Sequence, residues 1–148
     1  MENQRTILLA DANEEFRAML KGQITRDGTF AVVGDTGDGT EALRMIHQLT
    51  PDLAVIDLVL PGTDGAGVLR RMREQGDRTR VIVLSAFCTD QVVAEVMGLG
   101  AAYFLPKLPT SIYDQVMALP YHLYVIATSG TDLEATRPMA YGTALVPS

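Results

Sequence analysis

Short apolar runs alternate with amphipathic segments along most of the chain. Apolar runs bounded by turn residues are typical of buried strands, and they predict strands at residues 7–10, 30–33, 53–57, 81–84 and 102–105. The segments between and after them carry apolar residues at helical spacing and predict helices at residues 14–25, 38–49, 65–74, 90–99 and 111–119. In the first helix, Asn13 is the expected N-cap, and Phe16, Met19, Leu20 and Ile24 are expected to face inward. Strands that alternate with helices imply βαβ units, and so an α/β fold with a doubly wound parallel sheet.

The regular pattern ends at Pro120. A chain of 148 residues is long enough for one domain with a core and too short for two ordinary ones. We therefore assign residues 1–119 to one domain and residues 120–148 to an atypical C-terminal tail with no output domain. Residues 121–127 are apolar and rich in β-prone side chains. They are expected either to add to a sheet edge, giving a strand-exchanged homodimer, or to be the remnant of a truncated or shifted reading frame.

Composition and charge argue against several classes of function. The formal net charge is −6, which argues against direct nucleic-acid binding because phosphate contacts need a basic face. No apolar run approaches the roughly 20 residues that cross a bilayer, and the N-terminus has no pattern of a signal peptide. The single cysteine, Cys88, excludes an internal disulfide and fits a reducing cytoplasm. We expect a cytoplasmic protein without membrane contact.

Polar side chains stand at the carboxyl ends of four predicted strands. Asp11 follows the first strand, Asp57 ends the third, Ser85 follows the fourth and Lys107 follows the fifth. Open α/β sheets bind ligands at this edge, and in the flavodoxin-like strand order 2-1-3-4-5 the first and third strands are neighbours at the switch point. Asp11 and Asp57 are thus expected to share one site with a hydroxyl and an ammonium. A carboxylate in this position can hold a divalent cation, act as a nucleophile, or do both.

The motifs around these strand ends resemble the receiver domain of bacterial two-component response regulators. They are LLAD at residues 8–11, DLVLPGTDG at 57–65, LSA at 84–86 and GAAYFLPK at 100–107. The resemblance covers Ile7 to about Leu119, and the spacing of 22 residues from Ser85 to Lys107 is similar to that of the family. Within the family, residues 84–87 and 100–104 are most similar to those of the sporulation master regulator, stage zero sporulation protein A.

The resemblance implies a phosphorylation switch in two-component signalling, not an enzyme with independent turnover. Asp57 would accept a phosphoryl group from a phosphohistidine on a histidine kinase or a histidine phosphotransfer protein. Mg²⁺ held by Asp11, Asp57 and the backbone carbonyl of Val59 would neutralise charge in the transition state. The change in conformation would then control a downstream response, which we expect to be transcriptional.

Three further roles follow from the resemblance. Lys107 would pair with one phosphoryl oxygen as a point charge. The Ser85 hydroxyl would donate to another oxygen and so report phosphorylation to the loop after the fourth strand. Phe104 matches the switch aromatic of the family, which changes rotamer when that loop moves.

The chain departs from the family pattern at two positions of the site. Receiver domains usually carry two consecutive acids where this chain has Asp11-Ala12, so Mg²⁺ is expected to bind weakly. The family usually has proline after the lysine, whereas Leu108 follows Lys107 here. A cis bond before leucine would cost about 2.5–4 kcal/mol, so we expect this bond to be trans or the cis bond to have moved to Leu108–Pro109, and the direction of the Lys107 side chain stays open.

These departures favour an alternative, a degenerate receiver that acts by phosphorylation-independent protein interaction or dimerisation. A second alternative, a flavodoxin-like enzyme or flavin carrier, is disfavoured. The turn at residues 11–13 lacks the Gly/Thr-rich phosphate cradle that such proteins place after their first strand.

Overall fold

Five strands and four helices alternate along the residues that the computed structural model describes, residues 4–107. In chain order they are β1 (Arg5–Ala10), α1 (Glu14–Asp27), β2 (Phe30–Thr36), α2 (Gly39–Leu49), β3 (Leu53–Asp57), α3 (Gly65–Gln75), β4 (Arg80–Ser85), α4 (Asp90–Gly98) and β5 (Tyr103–Pro106). The fifth predicted helix and the tail, with its candidate strand at 121–127, lie outside the described residues. None of the four described helices has the length and apolar character that crossing a bilayer requires.

All strand pairs are parallel, and the strand order is β2-β1-β3-β4-β5. The predicted flavodoxin-like α/β fold, with strand order 2-1-3-4-5, is therefore confirmed. β5 is the last strand in this order. Pro106 lacks a backbone donor, and an edge strand is where this loss is tolerated.

Two hydrophobic cores lie on opposite faces of the sheet, and β3 contributes to both. Leu53 and Val55 belong to the core that α1 covers, and Ala54 and Ile56 belong to the core that α2, α3 and α4 cover. Successive side chains of a strand point to opposite faces, so a strand covered on both faces is apolar throughout. This explains why the run ahead of Asp57 is continuously apolar.

Side-chain caps fix the start of each described helix. The capping residues are Asn13, Asp38, Asp64 and Thr89, and each accepts a hydrogen bond from a backbone N–H of the first turn. The predicted N-cap at Asn13 is thus confirmed. At the other end of α4 the cap is Leu99, and Gly100 follows it with a φ of 106°.

Candidate functional site

The carboxyl edge of the sheet brings together the four strand-end residues that the sequence singled out. Asp57 and Ser85 are the last residues of β3 and β4, while Asp11 and Lys107 directly follow β1 and β5. These strands are consecutive neighbours in the sheet. Asp11, Asp57 and Ser85 are all buried, with exposed fractions of 2%, 7% and 0%. Buried polar groups require partners, and each of the three has one.

Lys107 joins the two carboxylates. Its Nζ donates to Asp11 Oδ2 at 2.7 Å and to Asp57 Oδ2 at 2.9 Å. Its backbone N–H donates to the carbonyl of Ser85 at 2.6 Å, which fixes the start of the side chain at the end of β4. The direction of the Lys107 side chain, left open by the sequence, is therefore toward Asp57. The Lys107–Leu108 and Leu108–Pro109 bonds lie outside the described residues, and their isomers stay predictions.

The second oxygen of each carboxylate accepts a hydrogen bond from the backbone two residues further along. Asp11 Oδ1 accepts from the N–H of Asn13 at 2.8 Å, and Asp57 Oδ1 accepts from the N–H of Val59 at 3.0 Å. This local arrangement is typical of Asp at the end of a strand. Both carboxylates are thus held by the loops that follow them, and their orientation does not depend on Lys107 alone.

Burial and charge act in opposite directions on the ionisable groups. Burial raises the pKa of the Asp11 carboxyl above its usual value, and the charge of Asp57 raises it further, although hydrogen bonds from Lys107 and from the N–H of Asn13 act against this. Burial would lower the pKa of the Lys107 ammonium, but its hydrogen bonds to Asp11 and Asp57 outweigh burial and raise it above the usual value. Lys107 is accordingly charged at neutral pH and offsets the two adjacent carboxylates.

Ser85 and Phe104 occupy different surroundings. The Ser85 Oγ accepts a hydrogen bond from the N–H of Phe87 at 2.9 Å, which leaves its hydroxyl proton as the donor for another acceptor. Phe104 is 2% exposed and packs in the core that contains Val93 and Val96 of α4. Its predicted role as the switch aromatic is not tested by this position and stays a prediction.

Asp11, Asp57 and the backbone carbonyl of Val59 are the groups at this edge that could hold Mg²⁺, because they carry the oxygen donors that this ion prefers. Ala12 is exposed and adds none. Within residues 4–107, no group of three or more His, Cys, Asp or Glu side chains is arranged to hold a metal ion. An Mg²⁺ ion held here would have two carboxylate ligands, and water molecules would have to complete its coordination.

Sequence reasoning missed two residues of α1 that contact this cluster. The ring of Phe16 lies under the Lys107 ammonium, with 4.4 Å from Nζ to the ring centroid. The Arg17 guanidinium donates to the carbonyl of Asp11 at 2.6 Å and to Asp35 Oδ1 at 3.0 Å. The available signal was their place in the first turns of a helix that begins three residues after Asp11.

A family model for the response regulator receiver domain matches residues 7–117. The chain belongs to this family. Receiver domains of two-component response regulators are phosphoacceptor switches. The cluster lies at the carboxyl edge of the sheet, which is where open α/β sheets bind ligands.

Solved receiver structures agree with this assignment. The signal receiver domain of NarL from Mycobacterium tuberculosis is 32% identical, with a TM-score of 0.69, 80% of this chain covered and 97% of that one. The receiver domain of Francisella response regulator 1452 is 26% identical, with a TM-score of 0.75 and coverages of 86% and 100%. The response regulator domain of CheB from Thermotoga maritima is 24% identical, with a TM-score of 0.78 and coverages of 84% and 97%, and supports the fold alone.

Proposed function

We propose that this receiver is switched by phosphorylation of Asp57, with Lys107, Ser85 and Asp11 as the residues that assist. The observation that carries the proposal is the bridge from the Lys107 ammonium to the carboxylates of Asp57 and Asp11. A cation in this position is what an incoming phosphoryl group requires, because negative charge accumulates on its oxygens in the transition state.

The chemical step uses a carboxylate oxygen of Asp57 as the nucleophile. That oxygen forms a bond to phosphorus while the bond from phosphorus to the histidine nitrogen of the donor breaks, and the electron pair returns to the imidazole. The N–H of Val59 donates to the other carboxylate oxygen, Oδ1, and so holds the orientation of the carboxylate. Lys107 pairs with one phosphoryl oxygen. The Ser85 hydroxyl, whose oxygen accepts from Phe87, donates a hydrogen bond to another phosphoryl oxygen.

Asp11, Asp57 and the backbone carbonyl of Val59 would hold Mg²⁺ beside the phosphoryl group. When bound, the ion supplies positive charge that neutralises the phosphoryl oxygens. Two carboxylates carry less negative charge than the family's usual three, so weak Mg²⁺ binding is part of the proposal.

Phosphorylation of Asp57 is tested with a small phosphodonor. Incubation with acetyl phosphate and Mg²⁺ is expected to add one phosphoryl group, read by intact mass, and Asp57→Asn is expected to abolish the addition. Asp27→Asn is the matched control, because Asp27 is an exposed carboxylate at the far end of α1. An unmodified wild-type protein, or equal modification of Asp57→Asn, would contradict the proposal.

Restoring the missing acid is expected to strengthen metal binding. Ala12→Asp adds a carboxylate at an exposed position next to Asp11, so the Mg²⁺ dissociation constant should fall by about tenfold. Isothermal titration calorimetry measures the constant. Ala12→Asn is the matched control, because asparagine has nearly the size of aspartate without its charge. Its Mg²⁺ dissociation constant should stay near that of the wild type. Identical titration curves for wild type and Ala12→Asp would refute the role of position 12.

The finer predictions on partners and output follow from the same proposal. The phosphodonor would be a histidine kinase or a histidine phosphotransfer protein, since receivers of this family interact with both. A transcriptional output, the cytoplasm as the compartment and a likeness to sporulation regulators rest on the sequence alone. The division at residue 119 and the homodimer through residues 121–127 also stay predictions.

A further inference from the structure

Lys107 has a third contact besides the two carboxylates. The ring of Phe16 lies under its ammonium, with 4.4 Å between Nζ and the ring centroid. Cation–π contacts form within about 6 Å of a ring centroid and strengthen when water is excluded. The Lys107 side chain is 14% exposed and Phe16 is 9% exposed, so little water competes with the ring.

Phe16 is tied to the same turn that holds Asp11. Its backbone N–H donates to Asn13 Oδ1 at 2.9 Å, and the N–H of Asn13 donates to Asp11 Oδ1 at 2.8 Å. The backbone of Phe16 and the Asp11 carboxylate are therefore positioned by one short chain of hydrogen bonds at the start of α1. The ring carried by this backbone gives the ammonium a contact that does not involve Asp57.

We propose that Phe16 is a positioning residue, which holds the Lys107 ammonium over the carboxyl edge of the sheet by a cation–π contact. The proposal rests on the proposed phosphorylation of Asp57 and acts through Lys107. A lysine side chain is long and flexible, and its hydrogen bond to Asp57 must be exchanged when a phosphoryl group arrives. The contact with the Phe16 ring persists through that exchange, because it does not depend on the chemical state of Asp57.

Phe16→Leu keeps an apolar side chain in α1 and removes the aromatic ring. Phe30→Leu is the matched control, because Phe30 is buried in the same hydrophobic core and, among residues 4–107, no ammonium lies over its ring. NMR should show a ring-current shift of the Lys107 ε-methylene protons in wild type and in Phe30→Leu, and loss of this shift in Phe16→Leu. Loss of about fivefold in the rate of phosphorylation by acetyl phosphate is expected for Phe16→Leu, against less than twofold for Phe30→Leu.

A Lys107→Met background tests whether the ring acts through the lysine. In that background, Phe16→Leu should change the slow residual rate by less than twofold. An equal loss with and without Lys107, or equal losses for the two Phe→Leu variants, would overturn the positioning role. An unmodified wild-type protein would refute the phosphorylation proposal alone, because the NMR shift tests the ring contact without any phosphodonor; a wild type without the shift would refute the contact itself.

Discussion

Replacing Lys107 with methionine is expected to slow the phosphorylation of Asp57 by about a hundredfold. Removal of one preorganised group that stabilises transition-state charge costs about 10²–10³ in rate. Lys107 contacts both carboxylates and is 14% exposed, so its charge acts where water screens little. The rate is measured by intact mass against time with acetyl phosphate in excess. Phosphorylation of Lys107→Met at the wild-type rate would show that the ammonium takes no part in the reaction.

The same substitution is expected to lower the free energy of unfolding at neutral pH. Removing one partner of a fully buried ion pair costs 3–5 kcal/mol, and the partial exposure here reduces the expectation to about 2 kcal/mol. The deficit should shrink at acid pH, because burial raises the pKa of Asp11 and its protonated carboxyl needs no counter-charge. Urea unfolding of both proteins from neutral to acid pH measures this difference in the free energy of unfolding. Lys21→Met is the control: Lys21 pairs with Asp35 but is 51% exposed, so its loss should cost about 0.5 kcal/mol.

The raised pKa of Lys107 fixes the alkaline side of this stability. Since the pKa is raised in the folded protein, the contribution of the ammonium is fully present below the unfolded pKa of 10.5 and is lost as the pH rises through the higher folded value. Wild-type protein should therefore lose stability above about pH 10.5. Lys107→Met should lack that part of the loss, so the difference in the free energy of unfolding between the two proteins should narrow as the pH rises.

The strands that surround the site were predictable from sequence because their apolar runs are local. β3 is continuously apolar and ends at an acid, so both its bounds were predicted correctly. β2 was predicted to end at Val33 but extends to Thr36, because Gly34 and Asp35 pair with Leu8 and Leu9 of β1. That pairing depends on the neighbouring strand, and no hydrophobic pattern within β2 indicates it.

Helical spacing predicted one side chain wrongly. Met19 was expected to face inward and is 37% exposed. Phe16, Leu20 and Ile24 are spaced four residues apart and form the buried stripe of α1, and Met19 lies beside this stripe. A helix that covers one face of a sheet buries a narrow stripe, so residues at its margin are the hardest to assign from spacing.

The convergence of the site residues followed from topology, and the contacts between them did not. Parallel strands end at one edge, which is why Asp11 and Asp57 could be placed together without coordinates. The bridge from Lys107 to Asp11 joins residues 96 positions apart, and its geometry depends on the length and rotamer of one side chain. The contact between the Phe16 ring and the Lys107 ammonium was equally unpredictable, since nothing in the local sequence of α1 indicates a contact with the residue that follows β5.

The second large effect is expected at Gly39, the first residue of α2. Its backbone N–H donates to the carbonyl of Pro61 at 2.9 Å, so the start of α2 packs directly on the loop that follows Asp57. A Cβ atom on Gly39 would lie 1.5 Å from the carbonyl oxygen of Thr63, which is far inside van der Waals contact. Gly39→Ala must therefore displace backbone, and we expect a loss of about 3 kcal/mol in the free energy of unfolding.

Gly22→Ala provides the opposite case within the same protein. Gly22 lies inside α1, and a Cβ atom there would meet nothing within 4 Å, so alanine should stabilise by about 0.5–1 kcal/mol. Urea unfolding followed by circular dichroism measures both variants. Opposite signs for the two variants would show that the loss at Gly39 comes from the close approach of α2 to the loop after Asp57, and not from a general intolerance of alanine. Equal stabilities for the two variants would mean that the start of α2 and the loop after Asp57 can move apart at little cost.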